Sequence, residues 1–410
     1  MFAVILPDIV AVLGLATVVA GCFEAPRGRA ITELVFRHSS MPGNADPVPQ
    51  LLRDFERGHP GITVKREAMP WTADTQHQFY VINLEGKAAG FDVLMLDVIW
   101  VAEFARAGWL LDLTERWTER DRREHFPAAV RAATFADRVW AMPWVTNVGL
   151  LYYRRDLLAR HGLGVPRSYD EIAAHAATVL ERERDPSLQG FLWQGKQYEG
   201  LVVNVLETLW ASGTDLLGAD GTVFPDPDRA AAALAYRREL LRTGVSPPLV
   251  TAADEELSRR EFGAGRAVFL RNWPYAADLF ERPDSPVRGR VGIAPLPGGG
   301  ALGGAHLGIN RATRSPDAAW ELVRFLSRPD AQRAIARATG LYPTRPALVE
   351  SAAFAAMLHR AHPRPITPWY QTISATLQPE LSAAILGVRS PRAAIEHTRD
   401  RLAFFMRDHP

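Results

Sequence analysis

Between residues 31 and 113, short apolar runs alternate with segments of helical period, and that alternation limits the fold more than any other feature of the chain. Ile31 to His38 reads as a strand, Val48 to Gly58 as a helix with Leu51, Leu52 and Phe55 on one face, and Ile62 to Glu67 as a second strand. Residues 76–87 repeat the helical period. Phe91 to Leu96 forms a third apolar run closed by Asp97, and Trp100 to Ala107 is helical again before Gly108. Strands that are apolar throughout and separated by helices imply a parallel sheet covered on both faces, an α/β architecture.

The remainder extends this pattern. Arg138 to Trp144 and Asn147 to Arg154 are strand-like, Asp156 can start a helix, and helical periods follow at 169–184, 198–212, 228–243 and 252–263, then a strand at Ala267 to Leu270. An αβ alternation follows Gly303, and residues 316–410 hold three or four helices separated by Pro and Gly. A length of 410 residues suits two or three domains, or two lobes sharing one chain. No clean linker interrupts 31–410, which favours two lobes with the chain crossing between them. Basic residues number 47 against 46 acidic ones, so no global field draws in nucleic acid or an anionic membrane.

Cys22 is the only cysteine, which excludes an intramolecular disulfide and a cysteine metal cluster. It follows the apolar stretch Ile9 to Gly21, which is too short to span a bilayer and suits a signal-peptide core. Val19-Ala20-Gly21-Cys22 resembles the lipobox of bacterial lipoproteins, in which the cysteine becomes the lipidated N-terminus. On that reading residues 1–21 are a signal peptide, 22–30 a linker, and Cys22 a membrane anchor. The competing reading is a small buried cysteine in an N-terminal helix.

Further residues carry a family resemblance. Leu51-Leu52-Arg53-Asp54-Phe55-Glu56, His59-Pro60-Gly61-Ile62, Phe91-Asp92-Val93-Leu94, Gly108-Trp109-Leu110-Leu111-Asp112-Leu113 and Tyr152-Tyr153-Arg154-Arg155-Asp156-Leu157-Leu158 together resemble the extracellular solute-binding proteins of ABC sugar importers. Residues 193–200 and 364–370 are most similar to the trehalose/maltose-binding branch. The resemblance implies a bilobal type II periplasmic-binding-protein fold, two α/β lobes joined by hinge crossings, with a disaccharide ligand held in the cleft between them. Lobe I would comprise 31–145 plus 304–344 and lobe II 146–303 plus 345–410, with crossings near 145, 303 and 345. It further implies a monomer that meets the ABC permease subunits, touches the membrane only through its lipidated N-terminus, works outside the cytoplasm, and needs neither cofactor nor catalysis.

A sugar offers hydroxyls to polar groups and C–H faces to aromatic rings. Asp97 closes an apolar strand at its carboxyl end, where open α/β sheets place ligands; its alternative role is to cap the helix near Trp100. Thr75 and Gln76 fall at a loop-to-helix junction that the family uses for the first wall, with ordinary capping as the alternative. Asn147 stands at a crossing where relatives often have Asp, and Asn44 lies in a Pro-rich first loop. Trp273 and Tyr275, in a Pro-punctuated loop after a strand, look like the stacking platform. Gly303 and Gly304 would admit ligand close to the backbone. Relatives commonly carry a Trp after this glycine pair, whereas Ala305 and His306 follow here, so one stacking surface is either missing or supplied by His306. Arg364 matches the family's late arginine, a fork of donors for vicinal hydroxyls. Trp193, Gln194 and Glu199 reach the cleft or fix the packing of the second lobe.

Other chemistries have less support. Gly298 to Gly303 spells G-x-G-x-x-G, but a strand follows it rather than a helix, so no helix N-terminus is offered to a pyrophosphate. H-E-x-x-H, G-x-S-x-G and Walker A sequences do not occur, and histidines are scattered singly, which leaves metal binding unsupported. A secreted carbohydrate-active enzyme remains the alternative from another class, because hydrolysis also uses carboxylates in a sugar cleft. Oligosaccharide, glycosylated polyol and polyamine ligands are the alternatives within binding proteins, the polyamine ranked last.

Overall fold

The computed structural model describes residues 31–39, 41, 45–69, 73–86 and 90–408, with side chains through residue 403. Cys22, Asn44 and the segment read as signal peptide and linker lie outside the described residues.

Two mixed sheets organise the chain. The first has the order β2-β1-β3-β11-β6, from β1 (Thr32–Ser39), β2 (Ile62–Met69), β3 (Val93–Asp97), β6 (Ala141–Val148) and β11 (Leu302–Ile309). The second has the order β10-β7-β9-β8, from β7 (Leu150–Arg154), β8 (Gln189–Leu192), β9 (Ala267–Asn272) and β10 (Val291–Pro295). A small hairpin joins β4 (Thr134–Phe135) to β5 (Arg138–Val139).

The first three strands form as the alternation predicts. β1 pairs in parallel with β2, Thr32 opposite Ile62 through Ser39 opposite Met69, and with β3 on its other edge. Helix Val48–Gly58 buries Val48, Leu51, Leu52 and Phe55, one stripe at helical spacing, against this sheet. The expectation of a parallel sheet fails at the other edge, where β11 runs antiparallel to both β3 and β6. The reason is connectivity: β6 carries the chain out towards the second sheet and β11 brings it back alongside.

Helix Glu199–Ala211 is the centre of the second half. Every residue from Glu199 to Leu209 is buried, as befits a helix enclosed on all sides; helices Pro227–Arg242 and Tyr370–Ile385 pack on it. Strands β8 and β10 escaped the sequence reading because each is short and contains a glycine. Residues 316–408 form five α-helices rather than three or four. Proline misled the count, since two residues separate helices Pro316–Leu326 and Pro329–Thr339 while Pro379 sits inside Tyr370–Ile385.

The sheets meet at a narrow waist. Gly149 is the single residue between β6 and β7, and its N–H donates to the Ala301 carbonyl at 3.1 Å as the chain returns from β10 to β11. Tyr342 exchanges two backbone hydrogen bonds of 2.9 Å with Thr146 on β6. A buried ion pair stands against this waist: Arg271 on β9 donates to Glu207 from Nε at 2.8 Å and Nη2 at 2.6 Å, with side chains 1% and 0% exposed. Glu207 Oε1 also accepts the Ala301 N–H at 3.0 Å. A Cβ on Gly149 would lie 2.0 Å from Glu207 Oε1, so only glycine admits this approach.

Candidate functional site

A cavity of about 220 Å³ opens between the two sheets beside the waist. The carboxyl end of β3 supplies Asp97, helix Ala73–Glu85 supplies Gln76, and the crossing strands supply Asn147, Gly303, Gly304 and Ala305. The opposite wall is built by Tyr198, Glu199, Glu255, Trp273 and Tyr275, and Arg364 enters from the loop before helix Tyr370–Ile385.

Asp97 does not cap the following helix, whose N-cap is Trp100 without a side-chain bond. Its Oδ1 accepts instead from the Ile99 N–H at 3.2 Å and from Arg364 Nη2 at 2.9 Å. Arg364 Nη1 donates to Glu199 Oε1 at 2.8 Å, so one guanidinium joins the end of β3 to the start of helix Glu199–Ala211. Both terminal nitrogens of the fork expected to read vicinal hydroxyls therefore meet carboxylates, while its Nε is buried without a partner in the protein. Against burial, Asp97 and Glu199 raise the Arg364 pKa above its ordinary value. Burial pushes the Glu199 carboxyl up, opposed by Arg364 and by the Ser374 and Tyr370 hydroxyls, which donate at 2.5 and 2.8 Å.

Trp273 is held from several sides. Its N–H donates to Asn272 Oδ1 at 2.8 Å, its carbonyl accepts from the Tyr152 hydroxyl at 2.7 Å, and the Arg271 guanidinium lies 4.0 Å from the ring centroid. Its indole Nε1 donates to Glu255 Oε1 at 3.3 Å, and Tyr198 donates its hydroxyl to Glu255 Oε2 at 2.7 Å. Tyr275 makes the equivalent bond to Glu256 Oε1 at 2.7 Å. Burial and then the neighbouring carboxylate push the Tyr198 and Tyr275 phenols well above their usual pKa, so both remain neutral donors.

The waist forms the floor. Gly304 has φ +124°, and a Cβ there would lie 2.3 Å from the Val145 carbonyl. A Cβ on Gly303 would meet Asn147 Oδ1 at 2.0 Å and the Trp273 ring at 3.1 Å. Asn147 Oδ1 is buried with no hydrogen-bond partner in the protein, an acceptor left over at the cavity.

Two expectations are corrected, and one alternative left open is decided. His306 faces the other side of the sheet from Ala305, as alternation along a strand requires; it is 1% exposed, and burial depresses its pKa to about 4. It supplies no surface to the cavity. Thr75 is exposed on its helix and does not line the cavity, whereas Gln76 does. Trp193 and Gln194 are internal, bonded to Ser246 and to Ser258 and the Arg271 carbonyl, while Glu199 both lines the cavity and packs. Sequence reasoning missed Tyr198 and Glu255. Tyr198 sat inside a stretch already singled out, and Asp254-Glu255-Glu256 marked a helix start that also lines the cavity. Asp254 caps that helix, accepting from the Leu257 N–H at 2.9 Å.

Among the described residues no cluster of three or more His, Cys, Asp or Glu side chains is arranged for a metal, and no helix is long and apolar enough to cross a membrane.

Comparison with known proteins places this geometry. The family model described as bacterial extracellular solute-binding protein matches residues 39–333. A protein of Deinococcus radiodurans named as a probable ABC transporter-binding protein is 35% identical over 296 residues, which is 69% of each chain. The maltose-bound structure of T. maritima MalE3 is 36% identical with a TM-score of 0.84, over 91% of this chain and all of that one. The GacH receptor of Streptomyces glaucescens, solved unliganded and with acarbose, superposes with a TM-score of 0.81 at 22% identity over 93% of this chain and all of that one, a likeness of fold.

Proposed function

The chain belongs to the bacterial extracellular solute-binding proteins, and from that premise we propose that it binds a disaccharide, trehalose or maltose, in the cavity between its two sheets and presents it to the permease subunits of an ABC importer. The observation that carries the reading is the indole of Trp273 set opposite Asp97 and Gln76 across a floor of Gly303, Gly304 and Asn147. That arrangement offers a ring face to sugar C–H groups and polar groups to the hydroxyls on the far side. Maltose in the T. maritima structure supports a disaccharide of this kind.

Binding works through a hinge. Two lobes, 31–145 with 304–344 and 146–303 with 345–410, each boundary within a few residues of the waist at Gly149 and Ala301 or of 345, turn about these crossings, and a ligand that touches both walls favours the closed form. The protein acts as a monomer outside the cytoplasm, tethered through a lipidated Cys22, and performs no chemistry on the sugar. A glycosidase places two carboxylates on either side of the scissile bond. Here Asp97 and Glu199 flank the Arg364 guanidinium instead.

Isothermal calorimetry of the chain from residue 23 against trehalose, maltose, sucrose, glucose and maltotriose, with each sugar assayed afterwards for hydrolysis, tests this. Saturable binding of one intact disaccharide is expected. Glucose released from a disaccharide would overturn the non-catalytic reading, and silence across the panel would overturn the choice of ligand.

A further inference from the structure

Five carboxylates line the cavity, those of Asp97, Glu199, Asp254, Glu255 and Glu256, against two cations, Lys196 and Arg364. The cations do not balance them. Arg364 is engaged by Asp97 and Glu199 together, which leaves that end of the cavity with one more carboxylate than cation. Glu256 has a partner in Arg259 at 2.8 Å. Lys196 is exposed, with its ammonium 6.0 Å from the Tyr198 ring centroid. Glu255 is different. Its two oxygens accept from the Trp273 indole and the Tyr198 hydroxyl, both neutral donors; the one cation whose charge reaches it across the stacking ring, Arg271, is already bonded to Glu207, so Glu255 has no ion-pair partner of its own. The positive end of helix Glu255–Gly263 points the same way, but Asp254 already caps it and two glutamates follow in its first turn. That helix start has no attraction left for an anionic ligand.

We infer that the cleft selects its sugar by charge, accepting uncharged and cationic carbohydrates and turning away uronates, with Glu255 as the residue that sets the preference. The inference rests on the sugar-binding reading above. A ligand carboxylate lodged against Trp273 would face the partly buried Glu255 at short range, where like charges repel more strongly than in bulk solvent. The neutral hydroxymethyl group of an ordinary sugar meets no such repulsion, and an ammonium in its place gains an attraction.

The test is calorimetry at low salt with maltose and trehalose, each beside its 6-carboxylate and its 6-amino-6-deoxy derivative. The carboxylate is expected to bind roughly tenfold or more weakly than its parent, and the amine at least as tightly. The penalty should shrink in 0.5 M NaCl and in the Glu255→Gln protein, whose fold is checked by thermal unfolding; the salt series on the unaltered protein stands by itself if that variant is unstable. A carboxylate that binds within twofold of its parent at low salt overturns the inference and leaves the sugar reading intact. Amine binding with the parents silent supports the charge preference and overturns the neutral disaccharide as ligand. Silence from every probe overturns both.

Discussion

Gly303 lies so close beneath Asn147 that a methyl group on it would sit 2.0 Å from the amide oxygen Oδ1. The carboxamide therefore rests on bare backbone at the waist, with the Trp273 ring against the same spot. Gly303→Ala should push Asn147 into the cavity and weaken sugar binding on the order of tenfold, because one ligand contact is displaced and another blocked. Removing the obstruction with Asn147→Ala in the same chain should recover part of the loss. Calorimetry on the two single variants and the double variant checks this; strictly additive losses would show that the two residues act independently.

Trp273 owes its position to Tyr152, Asn272 and Arg271 rather than to the ligand. Trp273→Ala should cost about 1–3 kcal/mol of binding free energy, and Trp273→Phe less. Fold stability should fall with Ala and less with Phe, since the ring is mostly covered and stacks on Arg271. Titration calorimetry together with urea unfolding separates the two effects.

Asp97 and Arg364 join the first sheet to a loop that also holds Glu199, a clasp between the two sheets. Asp97→Ala should release that clasp and enlarge the radius of gyration of the unliganded protein in small-angle X-ray scattering. An unchanged radius would show that the contact does not hold the lobes together.

The Glu207–Arg271 pair is fully buried, and Glu207 also receives a backbone N–H from the returning crossing. Glu207→Ala leaves a buried guanidinium unpaired and should destabilise by about 3–5 kcal/mol. Arg160→Ala, which breaks the exposed pair with Glu183, should cost less than about 1 kcal/mol. Urea midpoints compare them directly.

His125 and His306 are both buried beside the first sheet, with pKa values depressed by burial to about 3 and about 4. Each is neutral in the folded chain and protonated in the unfolded chain below about pH 6.5. The unfolded state then binds more protons, so stability falls as pH drops from about 6.5 towards 4. His306→Leu should reduce that slope by about 1.4 kcal/mol per pH unit, one proton's share. Urea unfolding between pH 4 and 7 reads it.

Where a side chain points was harder to read from the sequence than where an element runs. Helix Val48–Gly58 was legible to the residue because its apolar spacing is local, and Asp97, Trp273 and Tyr275 were legible because strand ends and proline-punctuated loops place side chains at openings. The facing of His306 was not, since its strand is buried on both sides and nothing local says which side meets the cavity. Nor was the engagement of Arg364, whose partners lie 267 and 165 positions away. Glu255 was hidden in a pattern that local rules assign wholly to a helix start. β8 and β10 were invisible because a four- or five-residue strand carries too little periodicity to stand out.

The place of β11 between β3 and β6 governs how the molecule is made. Val93 waits for Ile309 and Asp97 for Ala305, so the first sheet keeps an open edge while some two hundred further residues are synthesised, among them every strand of the second sheet. Such distant pairings form late and slowly. A chain emerging N-terminus first therefore stays incomplete until nearly three quarters of it has appeared, and neither lobe can be obtained by simple truncation: the piece ending at Val148 lacks the strand that seals its own centre.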